Sequence, residues 1–296
     1  MALEETLRNW AKRPSDSEQD RIDRTERMIK AAILKSNDSY VSGAKVFAKG
    51  SVKAGTNIKK DSDIDICVQP YGVFFANYSE GLSDKDFGNS SSTYTFKQFR
   101  DNVESALIDH FGSAYVSSGN RHINIREKTS RVEADVVPAF EHRRYTSRNS
   151  NPLIGIELRH KVNGSKTVNW PRQNYDNNLA KYNSTYRRYR KMVRILKHIR
   201  EELNELYPNA SFDAQSFLIE SMLWNVPNPH YNYESYVKSL EEILNYLNYA
   251  LQRSDIYHEW GEVNEFKYLF RGSQKWTVNG ALQFVIAAQT FVEKYK

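Results

Sequence analysis

The stretch Gly50–Val68, GSVKAGTNIKKDSDIDICV, decides how this chain is read. It has three parts: Gly50-Ser51 after the short apolar run Val46-Phe47-Ala48, a polar, Lys-rich loop containing Gly55-Thr56, and Asp63-Ile64-Asp65-Ile66. Side chains alternate between the faces of a strand, so Asp63 and Asp65 share one face while Ile64 and Ile66 point to a core. Two carboxylates about 7 Å apart along a strand repel each other unless a cation lies between them. Mg²⁺ suits that place, because it takes carboxylate and phosphate oxygens together. Gly50 lets the chain turn close to a ligand. The amides that follow, with the Ser51 hydroxyl, can donate to a phosphate.

A D-x-D pair alone is as often structural as functional. The combination of strand, Gly-Ser, polar loop and D-I-D-I resembles the signature of the DNA polymerase β-like nucleotidyltransferase superfamily. That resemblance implies a third carboxylate on a later strand. The candidate stretch is Val132–Pro138, VEADVVP, in which Val132, Ala134 and Val136 share one face and Glu133 and Asp135 the other. Pro138 cannot donate to a central ladder and marks the strand's end. By the resemblance Asp135 is the third ligand, with Glu133 as its rival; the bland alternative is the polar face of an edge strand.

The chain has 296 residues, enough for one or two domains with a sizeable core. Its 40% apolar and 13% aromatic content is that of a soluble globular protein. No apolar run approaches the ~20 residues of a membrane span, and the N-terminus lacks an apolar signal core. The single cysteine, Cys67, excludes an internal disulfide and a Cys-based zinc site. It shares a strand face with Asp65 and reads as a small buried neighbour of the site rather than a nucleophile. A reducing cytoplasm is the expected location. The net charge of +6, from 42 Lys+Arg against 36 Asp+Glu, suits a nucleoside triphosphate better than a long nucleic acid.

A helix is expected from Ser15, which has capping-box spacing with Glu18, to about Ser36. The strand Lys45–Lys49 feeds the Gly-Ser turn. Residues 70–94 read as a loop, and a helix follows from Thr95 to Phe111. Short strands are expected near Ala114–Val116 and His122–Ile125. The mixed α/β character ends near Arg159, and residues 160–176 are a transition. Helices are then expected over Tyr186–Leu206, Phe212–Trp224, Tyr236–Leu251 and Gly280–Tyr295. In the first of these Arg190, Arg194 and Lys197 fall on one stripe at i, i+4 and i+7. Such a stripe either attracts phosphate or is a solvated face.

Within the superfamily the chain is similar to the CD-NTase family, the bacterial cyclic-oligonucleotide synthases related to cyclic GMP–AMP synthase and oligoadenylate synthetase, in its CdnE-like branch. The resemblance rests on GSVKAGTNIKKDSDIDI, VEADVVP, NWPRQNYDNNLAKYNST, RKMVRILKHI, SFLIESMLWNVPN, EFKYLFR and QKWT, and covers most of the chain. It implies an α+β, polymerase β-like nucleotidyltransferase lobe over residues 1–170, with a long N-terminal helix. A helical lobe over residues 171–296 and an active site in the cleft between the two complete it. It implies two Mg²⁺ ions, replaceable by Mn²⁺, on Asp63, Asp65 and Asp135. Gly50, Ser51, Lys197 and the hydroxyl of Ser216 would meet the triphosphate; Phe217 and Tyr182 would stack on bases. Core packing is the alternative for Phe217. Family members often carry Lys-Asn before the basic helix, near a nucleobase. Here the chain has Lys181-Tyr182-Asn183, so Tyr182 takes the Asn position unless Asn183 serves through a register shift.

The implied function is metal-dependent nucleotidyl transfer that makes a cyclic di- or trinucleotide from NTPs. A separate effector protein would read the product in antiphage signalling, with no obligate DNA or RNA partner and no membrane. One rival is a terminal nucleotidyltransferase acting on RNA or protein. Another is a non-catalytic, basic nucleic-acid-binding module, against which the intact carboxylates count.

Overall fold

A computed structural model describes residues 3–58, 63–208, 214–272 and 274–296. Lys59–Ser62 of the Lys-rich loop and the start of the helix expected from Phe212 lie outside the described residues. In chain order the elements are α1 (Leu3–Trp10), α2 (Asp16–Leu34), α3 (Ser39–Ser42), β1 (Lys45–Lys49), α4 (Gly50–Ala54), β2 (Ile64–Gln69), β3 (Phe74–Tyr78), α5 (Asp84–Phe87) and α6 (Phe96–Phe111). There follow β4 (Val116–Ser118), β5 (Ile123–Ile125), β6 (Ala134–Pro138), β7 (Phe140–Tyr145), β8 (Leu153–Arg159) and β9 (Lys166–Asn169). The rest is helical: α7 (Pro171–Ser184), α8 (Tyr189–Leu206), α9 (Ser216–Asn225), α10 (Tyr236–Leu251), α11 (Ser254–Tyr257) and α12 (Val278–Tyr295).

The chain folds into two compact units that interleave along the sequence. The mixed unit comprises Ser15–Lys53 and Asp61–Arg172; the helical unit comprises Met1–Pro14, Ala54–Lys60 and Gln173–Lys296. The expected single boundary at residue 170 is therefore corrected. The helix expected from Ser15 is α2, in the mixed unit; α1, which precedes it and was not expected, belongs to the helical unit. Leu3, Leu7 and Ala11 bury themselves in the helical core. Glu4 accepts from the backbone N–H groups of Tyr236 and Val237 at the start of α10, at 3.1 and 3.0 Å, where a carboxylate satisfies otherwise orphaned donors.

In the mixed unit a five-stranded sheet has the order β1-β2-β6-β5-β4, with β2 and β6 parallel and the other pairs antiparallel. A four-stranded sheet has the order β3-β7-β8-β9. Ile64, Ile66, Val68, Ala134 and Val136 share one core with Ile22, Ile29 and Ile33 of α2 and Phe99, Val103 and Leu107 of α6. Ser15 caps α2 by accepting from the Glu18 N–H at 3.3 Å. The Glu18 carboxylate turns to Arg21 at 3.9 Å. Thr95 and Gln98 form a full capping box on α6.

Two expectations fail. Residues 70–94 contain β3 and α5, because β3 pairs in parallel with β7, a partner far along the chain. The span 160–176 holds β9, which closes the second sheet on β8, and the first turn of α7. Pro171 starts α7, where its missing N–H costs nothing. Between α7 and α8, Tyr186 and Arg187 adopt left-handed φ of 49° and 63°, which halts the helix expected to start at Tyr186 and sets its first residue at Tyr189.

Candidate active site

Gly50 ends β1 with φ +65° and starts α4, with half-buried Ser51 in its first turn. A Cβ at position 50 would collide with Oδ2 of Asp65. Glycine is thus needed twice, for the left-handed turn and for the approach of the carboxylate to the backbone.

Asp65 lies on β2 between Ile64 and Ile66, both fully buried. Its partner on the parallel strand β6 is Asp135. Its partner on the antiparallel strand β1 is Lys49, and Asn124 of β5 lies opposite Asp135. Lys49, Asp65, Asp135 and Asn124 therefore form one rung across four strands, on the same sheet face, with neighbours about 4.8 Å apart. The Lys49 Nζ stands 2.9 Å from Asp65 Oδ1. Asn124 donates from Nδ2 to Asp135 Oδ1 at 3.2 Å and to Glu133 Oε1 at 2.8 Å, and His122 Nε2 is 3.4 Å from Asp135 Oδ1. Asp135 is the carboxylate that registers with Asp65; Glu133 immediately precedes β6, its carbonyl accepting from the Ile64 N–H at 3.1 Å.

Asp63 is exposed and directly precedes β2. Among the described residues no three His, Cys, Asp or Glu side chains gather into a metal cage; of the expected three carboxylates, Asp65 and Asp135 are in-register strand neighbours and Asp63 precedes β2. The donor chemistry still fits Mg²⁺, which uses one or two carboxylates and completes its shell with substrate phosphates and water. The ammonium on Asp65 marks where positive charge is required. Cys67, next but one on the strand, is fully buried. Burial pushes its thiol up to about 12, with Lys49 lowering and Asp65 raising it; it is a packing residue.

The helical unit carries the other expected residues. The cationic stripe on α8 is not a solvated face: Arg190 and Arg194 are 6% and 4% exposed and Lys197 is fully buried. Arg194 donates through Nε to the Ala11 carbonyl at 3.0 Å and also reaches the Gly55 carbonyl; burial lowers its guanidinium to about 10. Arg190 donates through Nε to Asn178 Oδ1 at 2.6 Å and lies over the Tyr182 ring at 4.5 Å. Tyr182 therefore already offers one face to a cation.

Lys197 and Arg190, but not Arg194, bear on Glu220, which the sequence did not single out. Its carboxylate accepts from Asn178 Nδ2 at 2.8 Å and from Thr56 Oγ1 at 3.2 Å. Burial raises the Glu220 carboxyl above its usual range, and the charge of Lys197 leads the forces that oppose this. Thr56 belongs to the segment that follows the Gly-Ser turn, and its buried neighbours Asn57 and Ile58 place that segment in the helical unit. Ser216 and Phe217 sit elsewhere on this unit. Arg200 donates to the Ser216 hydroxyl at 3.0 Å. Phe217 packs against the helical core, 6.1 Å from Trp276, which matches the packing alternative.

Residues 176–293 match the C-terminal helical domain of the cGAS/DncV-like nucleotidyltransferases. Over 293 residues the chain is 36% identical to the cyclic dipyrimidine nucleotide synthase CdnE of Legionella pneumophila, covering 98% of each. The chain belongs to the CD-NTase family. A CD-NTase of Cecembia lonarensis, again a cyclic dipyrimidine nucleotide synthase, is 33% identical over 291 residues, 98% of both chains. The Rhodothermus marinus CdnE c-UMP-AMP synthase, solved with Apcpp and Upnpp, superposes with a TM-score of 0.86 at 26% identity over 98% of this chain and 96% of that one. The Elizabethkingia meningoseptica CdnE cyclic dinucleotide synthase, solved with GTP and Apcpp, gives a TM-score of 0.80 at 26% identity over 98% of both. As a CD-NTase this chain is an enzyme, a nucleotidyltransferase that makes cyclic oligonucleotides from NTPs. No described helix is long and apolar enough to cross a membrane.

Proposed function

We propose that the chain makes a cyclic dinucleotide with pyrimidine NTPs among its substrates, by metal-dependent transfer at Asp63, Asp65 and Asp135. The observation that carries this is the rung in which Asp65 and Asp135 are in-register neighbours beside Gly50. Two carboxylates on adjacent strands of one face are costly without a cation, and a nucleotidyl-transfer site needs that pairing. The pyrimidine preference is supported by the full-length relatives named as dipyrimidine synthases. Divalent metal bound there would lower the pKa of the attacking sugar hydroxyl and neutralise charge on the α-phosphate and leaving pyrophosphate.

The chain's own residues do the rest. Asp65 and Asp135 hold fixed negative charge on a rigid sheet, and Asn124 fixes the orientation of the Asp135 carboxylate. Asp135 would take the hydroxyl proton, a role proposed by resemblance. Ser51 donates to the triphosphate. Lys197, Ser216, Tyr182 and Phe217 are proposed nucleotide contacts by resemblance alone. For Lys197 the burial beside Glu220 favours a role as the charged end of that network. For Phe217 the core contacts favour packing. A separate effector that reads the product, in antiphage signalling in the cytoplasm, belongs to the same proposal.

Incubation with each pair of the four labelled NTPs and Mg²⁺, then phosphatase and mass spectrometry, tests it. A phosphatase-resistant cyclic dinucleotide containing C or U is expected. A ladder of linear oligomers carrying 5′-triphosphates overturns the cyclase reading, and a purine-only product overturns the pyrimidine one.

A further inference from the structure

Lys49 is not needed to explain the fold. It ends β1 at the edge of the sheet, yet its side chain is 16% exposed against 37% for Asp65. Its ammonium lies 2.9 Å from Asp65 Oδ1, while Oδ2 of the same carboxylate lies against Gly50, where a Cβ would collide with it. One oxygen of Asp65 is thus held by the ammonium, and the other lies beside the Gly50 backbone.

We propose that Lys49 competes with divalent metal for Asp65, so that metal loads tightly only together with a nucleotide; this rests on the metal-site reading above. A cation seated on Oδ1 at an Mg–O distance of about 2.1 Å would stand no more than about 5 Å from the ammonium, a separation at which like charges repel in a partly buried site. The two exclude each other at that oxygen. Metal coordination at Oδ1 requires the ammonium to move away from that oxygen. The displaced Lys49 then needs a new anion, and its rung neighbours are carboxylates that the metal itself engages. The phosphates of an incoming NTP supply that anion beside the Gly50-Ser51 turn that Lys49 adjoins. Metal and nucleotide then favour each other's binding, and the effect is reciprocal.

The test measures Mn²⁺ binding by the electron paramagnetic resonance signal of free Mn²⁺, with and without a non-hydrolysable UTP analogue. In the wild type the analogue is expected to tighten Mn²⁺ binding by about tenfold or more, within the usual range of coupling between sites. Lys49→Met is expected to tighten binding of Mn²⁺ alone by a similar factor and to shrink the effect of the analogue. Lys49→Gln, which keeps a polar side chain without charge, is expected to behave alike, and melting curves show that each variant folds. Unchanged or weaker binding of Mn²⁺ alone in both variants overturns the proposal. Asp65→Asn separates this from the underlying site: if it binds Mn²⁺ as the wild type does, the metal-site reading itself fails.

Discussion

Charge is handled in opposite ways in the two units. On the five-stranded sheet, Asp65 and Asp135 hold like charges side by side, half-exposed, with one lysine in compensation. In the helical unit, Arg190, Arg194 and Lys197 are withdrawn from solvent and tied to carbonyls, an asparagine and Glu220. The first arrangement is poised to take up a cation. The second already pairs most of its charge within the protein, at a large desolvation cost, although Arg190 Nη2 is buried without a hydrogen-bond partner. Substitutions should therefore divide by readout: those on the rung should lose activity and keep the fold, and those in the network should lose stability first.

The largest expected effect is on the rung. Asp65→Asn or Asp135→Asn should lower kcat by about a thousandfold, the scale of several kcal/mol of metal-assisted stabilisation, with no fall in melting temperature. Steady-state pyrophosphate release and a thermal melt check both. Glu133→Gln should be much milder, because Glu133 lies outside the Asp65 register; the reverse order would show that the functional register is shifted by two.

Next comes the network. Glu220→Leu leaves Lys197 and Arg190 without their buried counter-charge and Asn178 and Thr56 without an acceptor. A loss of about 3–5 kcal/mol is expected, read by urea unfolding. A loss below 1 kcal/mol would erase the contrast between the units.

Lys197→Ala should raise the KM for NTP or lower kcat by about tenfold, the worth of one charged contact. It should also lower the melting temperature, because Glu220 stays behind. Activity measured well below the melt separates the two, and an unchanged KM and kcat there would make Lys197 a structural cation only.

A smaller effect is on pH dependence. The folded-state pKa of Glu220 is raised above its ordinary 4.5. A raised carboxyl contributes stability that is fully present below the unfolded value and is lost as pH rises through the folded one. Glu220→Gln should therefore flatten the decline in stability above about pH 4.5. The smallest concerns Cys67: with its thiol at about 12, a disulfide reagent at pH 8 should label it only on unfolding. Rapid labelling of the native enzyme would mean that the sheet beneath the rung is open.

What the sequence alone determined is local. The period of two in Asp63–Ile66 and in Val132–Val136, the glycine at a strand end and the cap at Ser15 act over a few residues, so their geometry follows from covalent structure and alternation. Family membership was legible for the same reason, since its motifs are contiguous. The tertiary structure alone decided whatever joins distant residues. Four strands had to align before Lys49 and Asn124 could flank the two aspartates. The parallel pairing of β3 with β7 made a strand of a segment without clear alternation. The Arg190-Arg194-Lys197 stripe has the same spacing on a wet face as on a buried one. Only the convergence of Ala11, Gly55, Asn178 and Glu220 on that helix settled its burial, because the free energy of a buried charge depends on partners that helical spacing does not specify.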